Sequence, residues 1–329
     1  MLRFLIRRVF FAVVTLFAVS VLTFAMFFAI AASPAALQCG KNCSPTQVAQ
    51  IEKSLGLDKP LTTQYAEYMK GIFVGRTIGS GETAIDCPAP CFGYSFRGSV
   101  PVSTLLAQAL PITLSIVIGG AILWILTGLA LGVISALRQG SAIDKTAIGI
   151  SLAGASLQVY FVGLVLQLIF VYKLHWLPAP SYTSPLDNPL SWAGGLLLPW
   201  ITLAILSSAI YARLTRAQML ETLSEDFVRT ARAKGLPKRT VQLRHALRAG
   251  ITPIITIAGL DVGGALGGAV ITENVFGLQG LGFISVQAAQ QLNLPIVMAT
   301  VLLSAFFIIS SNVLVDILYA FVDPRVKLG

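Results

Sequence analysis

The run ITLSIVIGGAILWILTGLALGVISAL, residues 112–137, holds no charged side chain over 26 consecutive positions. A helix needs about 20 apolar residues to cross the hydrocarbon core of a bilayer. Five more runs meet that length: Val9–Ala32, Thr146–Tyr172, Leu190–Ala212, Ala249–Thr272 and Leu294–Tyr319. Only the last two carry a charge, Asp261 and Asp316. Hydrocarbon offers the backbone no water, so each run is expected to be a helix. Composition agrees, with 55% hydrophobic and 11% charged residues and a mean hydropathy of +0.80; soluble domains carry about 25% charge. The net charge of +9 would suit a nucleic-acid partner, but the basic residues sit at the ends of apolar runs, so nucleic acid is excluded. The expected fold is all-α and polytopic, with six transmembrane helices.

Lys and Arg set the orientation. With the N-terminus inside, the cytoplasmic segments hold Arg3, Arg7, Arg8, Arg138, Lys145, Arg213, Arg216, the cluster Arg229 to Arg248, Arg325 and Lys327. The short external loop holds Lys173, and both termini are expected in the cytoplasm. Arg7-Arg8 followed by an apolar run and Ala29-Ile30-Ala31 imitates a signal peptide. The run is 24 residues, against about 7–15 for a signal core, which favours an uncleaved first helix.

The chain divides into residues 1–32 with the first helix, an extracytoplasmic cap over 33–111, and a five-helix core over 112–329. In the cap, Ser44-Pro45-Thr46-Gln47 reads as a capping box opening a helix that stops at Gly56. A second helix from Pro60 to Gly75 places Leu61, Tyr65, Tyr68 and Ile72 on one face. Thr77–Tyr94, rich in Gly and Pro, reads as a loop. The cap either packs on the spans or offers a contact surface to an external protein. Cys39, Cys43, Cys87 and Cys91 all lie here. An oxidising compartment favours two disulfides, with three possible connectivities, and a four-thiolate zinc site is the alternative.

Between the fourth and fifth runs stands RTARAKGLPKRTVQLRHALRAGITP, residues 229–253, inside a basic loop over 213–250. Residues Arg213–Lys234 read as a cytoplasmic continuation of span four, with Leu220, Leu223 and Phe227 at helical spacing. Glu225 and Arg229 are placed to pair. Gly235 suits a helix end, and Pro237 the start of a short helix Lys238–Arg248. One reading is an interfacial helix held by anionic membrane lipid. The other is a handle for a cytoplasmic protein.

The order Thr230-Ala231-Arg232-Ala233-Lys234-Gly235, then His245-Ala246-Leu247-Arg248, then Pro253 closely resembles the coupling loop of ABC importer permeases of the dipeptide, oligopeptide and nickel family, in its peptide-permease B-type branch. Gly267–Phe276, Asn312–Ala320, Asp323-Pro324-Arg325 and Leu55–Asp58 resemble it as well. The chain departs at Gly75–Cys91, at the cysteine pairs, at Ala249-Gly250 and at Gln279. The resemblance implies a permease subunit of an ATP-driven importer of dipeptides or oligopeptides in the bacterial cytoplasmic membrane. It implies a second homologous permease, two cytoplasmic ABC ATPases and an external substrate-binding protein as partners. It implies ATPase coupling through Arg229, Thr230, Ala231, Arg232, Ala233, Lys234, Gly235, Leu236, His245, Leu247 and Pro253. No phosphate loop occurs, so ATP and Mg are assigned to the partner, and this chain is expected to bind no cofactor or metal and to catalyse nothing.

Polar residues at membrane depth are costly and mark a pathway or a structural pair. Gln158, Tyr160, Asp261 and Glu273 are the pathway candidates, with Gln167 weaker, and Asp316 reads as structural. A nickel importer is the rival within the family, but His175 and His245 lie on opposite sides of the membrane, which mildly favours peptide. A proton-coupled carrier relaying through Asp261 or Glu273 is the rival of another class.

Overall fold

A computed structural model describes residues 2–29, 35, 44–78, 84–95 and 98–322. Among the described residues, four helices are long and apolar enough to cross a membrane: Ile6–Phe28, Val102–Leu137, Pro189–Ser224 and Leu294–Ile317. Two bent pairs, Ala142–Gly154 with Val159–Lys173 and Lys238–Gly250 with Thr252–Leu266, bring the number up to six if each is one span. The protein is a polytopic all-α membrane protein.

Helix α1 (Leu2–Phe24) continues through π-type turns to Ala29. The cap helices are α2 (Pro45–Leu55) and α3 (Leu61–Val74). The capping box forms as its residue types require, with Gln47 N–H donating to Ser44 Oγ and Ser44 N–H to Gln47 Oε1. Helix α3 lies against the spans: Tyr68 is buried with Phe24 and Met298, and Tyr65 hydrogen-bonds Ser20 at 2.6 Å. Leu61 does not join that face and stays exposed. Arg76 stacks its guanidinium 5.5 Å from the Tyr68 ring centre. Burial pushes the Tyr68 phenol well above its usual range and the Arg76 guanidinium below its own.

The expected loop at Thr77–Tyr94 contains strand pairing instead. Strands β1 (Arg76–Ile78) and β2 (Ile85–Cys87) run antiparallel, with Thr77 Oγ1 donating to Asp86 Oδ1 at 2.9 Å. The alternating Arg-Thr-Ile and Ile-Asp-Cys put Thr77 and Asp86 together on the exposed face, which suits a hairpin. A disulfide joins Cys87 to Cys91. Cys39 and Cys43 lie outside the described residues. Strands β3 (Tyr94–Ser95) and β4 (Val100–Pro101) lead directly into helix α4 (Val102–Leu137). That helix starts ten residues before the expected Ile112, because Val102, Leu106 and Ala109 bury themselves against Leu281, Ala288 and Ile296.

The run Thr146–Tyr172 is not one helix. Helix α5 (Ala142–Ser156) stops where Leu157 and Gln158 turn extended, with ψ of 146° and 141°, and α6 (Val159–Leu166) follows. Helix α7 (Pro189–Ser224) is succeeded by α8 (Asp226–Ala233) and by α9 (Lys238–Gly250). The fifth run is also divided. Helix α10 (Thr252–Leu266) ends at Gly267-Gly268, and Glu273 belongs to a separate short helix α11 (Val270–Phe276). Helices α12 (Leu281–Gln290) and α13 (Leu294–Val322) complete the chain. Arg8 pairs with Asp316 at 2.9 Å, so the start of α1 and the end of α13 share one end of the bundle.

The largest helix pairing joins α4 to α7. Gly128 and Gly132, one turn apart on α4, let the α7 backbone approach closely. A Cβ on Gly132 would fall 2.4 Å from Thr215 Cβ and 2.6 Å from Ala212 O. Backbone cannot yield there, so Gly132→Val should cost about 2 kcal/mol or more and lower the thermal unfolding midpoint in detergent by several degrees. Gly149→Val, where nothing lies within 4 Å, is the control. Equal midpoints for the two variants would contradict this packing.

Candidate functional site

The basic loop is built by an interrupted helix. Helix α7 does not run on to Lys234 as the sequence suggests; Glu225 takes extended backbone (φ −66°, ψ 149°) and breaks it. Helix α8 restarts with Asp226 in its first turn, where the helix dipole favours an acid. The break removes Phe227 from the Leu220–Leu223 stripe and leaves it 46% exposed. It also changes the ion pair: Arg229 meets Asp226 at 3.4 Å rather than Glu225.

Val228 and Ala231 are the inner face of α8. They pack with Ala136, Met219, Val241 and Ala246, so the ends of α4 and α7 and the start of α9 share one small core. Arg229, Thr230, Arg232, Ala233, Lys234, Gly235 and Leu236 are exposed on the outer face, while Ala231 is buried. Gly235 has φ +73°, a conformation that a Cβ disfavours. Its N–H bonds Arg232 O at 2.9 Å and the N–H of Leu236 reaches back to Ala231 O, which closes the helix end. Pro237 then occupies the cap of α9. On α9, His245 and Leu247 are partly buried, and Pro253 is exposed at the start of α10. The expected residues therefore sort into an exposed set, Arg229 to Leu236 without Ala231 together with Pro253, and an inward set of Ala231, His245 and Leu247. Phe227, Leu236 and Leu243 add exposed apolar surface among the basic side chains. Only the break at Glu225 reveals Phe227 as a member of this face.

A second feature was not legible in the sequence. Asp144, at the start of α5, is a buried carboxylate with four donors. Arg216 of α7 approaches it through Nε at 2.7 Å and Nη2 at 2.8 Å. Ser135 Oγ, from the last turn of α4, and the N–H of Gly140 complete the set. Fork-shaped guanidinium contact fixes geometry as well as charge. The clamp ties three helices together on α7, two turns before the break that opens α8.

The pathway candidates separate. Glu273 is fully buried: Thr113 Oγ1 donates to one oxygen at 2.7 Å and the N–H of Phe283 to the other at 2.8 Å. The structure thus places Glu273 as a brace between α4, α11 and α12, not on a surface. Gln158 and Tyr160 are exposed at the break between α5 and α6. Asp261 is exposed on α10, and the buried Tyr211 donates its hydroxyl to Asp261 Oδ2 at 2.7 Å.

Residues 1–117 match the family described as the N-terminal part of a binding-protein-dependent transport system membrane component. Residues 128–328 match the binding-protein-dependent transport system inner membrane component family. The Dipeptide transport system permease protein DppB of Escherichia coli strain K12 is 34% identical, over 99% of both chains. The protein of the same name from Alkalihalophilus pseudofirmus is 32% identical, over 99% of this chain and 100% of its own length.

The Asp144 clamp makes a direct prediction. Asp144→Ala leaves the Arg216 guanidinium without its partner and should lower the thermal unfolding midpoint. Arg216→Lys keeps the charge but loses the fork, and should fall between that variant and wild type. Thermal unfolding in detergent reads both, and a wild-type midpoint for Asp144→Ala would contradict the clamp.

Proposed function

The chain belongs to the binding-protein-dependent transport system inner membrane component family, and from that premise we propose that it is the peptide-carrying permease of an ATP-driven importer. It is a multi-pass inner-membrane permease subunit, and its family works with a substrate-binding protein and an ATPase. The full-length likeness to dipeptide permeases supports a dipeptide or oligopeptide as cargo. A second, homologous permease completes the pathway, and two cytoplasmic ATPases bind and hydrolyse ATP with Mg. Six spans with both termini in the cytoplasm fit the bent pairs and the shared end of Arg8 and Asp316.

The observation that carries the reading is the packed, outward-facing α8 with its glycine-closed end. A protein partner that pushes on Arg229, Thr230, Arg232, Ala233, Lys234, Gly235 and Leu236 moves a body bonded to three spans through Val228, Ala231 and the Asp144 clamp. Phe227 and Leu236 supply the apolar contact that a protein surface covers and a lipid headgroup layer does not require. Leu247 helps to hold the loop against the ends of α4 and α7. The cap, stapled internally by Cys87–Cys91 and packed through Tyr68 against α1 and α13, is the face for the binding protein.

The test uses the reconstituted importer in proteoliposomes. Tri-alanine uptake should require ATP on the ATPase side and persist when an uncoupler collapses the proton gradient. Gly235→Asp should leave the protein in the membrane and abolish that uptake. Uptake that follows the gradient and ignores ATP would establish a proton-coupled carrier instead.

A further inference from the structure

We propose that Asp261 is a cation-binding site on the translocation route, taking the protonated α-amino group of the peptide as it passes. The inference rests on the peptide reading above and adds the chemistry of one contact.

Helix α10 has 15 residues and Asp261 is its tenth. At 1.5 Å per residue it lies about 14 Å from the start of the helix, close to half the depth of a hydrocarbon core of about 30 Å. Its side chain is exposed, and Pro253, Leu260 and Gly264 are exposed on the same helix at spacings that bring them to one face. Tyr211, 1% exposed and locked in a packed cluster with Trp124 and Ile254, fixes Oδ2 through its hydroxyl. Oδ1 accepts no hydrogen bond among the described residues.

Three other acids on the membrane helices have partners. Asp144 pairs with Arg216 and Asp316 with Arg8, while Glu273 has its own donors. No basic side chain among the described residues pairs with Asp261. A carboxylate at that depth is not stable against lipid and calls for water and a positive partner. A carboxylate only accepts hydrogen bonds and a primary ammonium only donates them, so the two are complementary. Every unmodified peptide carries that ammonium whatever its side chains, so one aspartate serves cargo of varied sequence.

The test has two arms, both on the complete importer in proteoliposomes. In the first, Asp261→Cys is treated with the water-soluble reagent 2-sulfonatoethyl methanethiosulfonate and compared with the unsubstituted chain. Labelling above that background is expected. No labelling would place the residue in a dry contact with the second permease and overturn the proposal. In the second arm, ATP-driven uptake of tri-alanine and of Lys-Ala-Ala is compared. Asp261→Asn should slow both by about tenfold, the scale of a lost charge-assisted hydrogen bond, and Asp261→Glu should restore most of the rate. Unchanged uptake by Asp261→Asn would overturn the proposal. A loss confined to Lys-Ala-Ala would assign the site to cationic side chains and overturn the α-amino assignment. Wild-type importer that takes up neither peptide would sink the peptide reading and this inference together, whereas wild-type uptake with an insensitive Asp261→Asn sinks only the inference.

Discussion

Hydrocarbon gives a charge nowhere to go, and that constraint organises this protein. Three acids on the membrane helices meet partners from distant parts of the chain. Arg8 and Asp316 join the first and last helices, and Arg216 grips Asp144 with two nitrogens. Glu273 is braced by Thr113 and by the start of α12. These contacts are long in sequence and short in space, so they act as fixed points between helices that apolar packing alone would leave freer to slide. The same constraint marks what is left uncompensated: the basic outer face of α8 and the single acid on α10.

The fixed points decide how a push on the loop travels. The loop's inner residues, Val228 and Ala231, share a core with Ala136 at the end of α4 and Met219 near the end of α7. Above that core the Asp144 clamp fastens α5 to α7, and Gly128 and Gly132 hold α4 against α7 without intervening side chains. Helix α8 is thereby packed onto a body of three helices. Helix α10 is less tightly bound to that body and contacts chiefly α13.

The sequence made the membrane class legible because hydrocarbon imposes a length and a composition that six runs satisfy. Local chemistry was legible too: the Ser44 capping box, the turned helix end at Gly235 and the cap at Pro237 each depend on a few adjacent residues. What was not legible depended on distance or on the absence of a breaker. Nothing at Ser156–Gln158 announces a break, since the apolar run continues through it without a proline. Asp144 finds Arg216 72 residues away, and Thr113 meets Glu273 across 160. The hairpin at Arg76–Cys87 was hidden by its glycines, which read as loop. Phe227 fitted a helical stripe until the extended Glu225 turned it outward.

The central claim is that the outer face of α8 is held by the ATPase. A photo-crosslinking amino acid at Leu236, exposed at the tip of the loop, probes it in the native membrane. The same group at Leu61, also exposed but on the cap, is the reference. Irradiation should join the Leu236 variant to an ATPase subunit and leave the Leu61 variant free of it. Capture of the ATPase from Leu61, or crosslinks from Leu236 to lipid alone, would contradict the account.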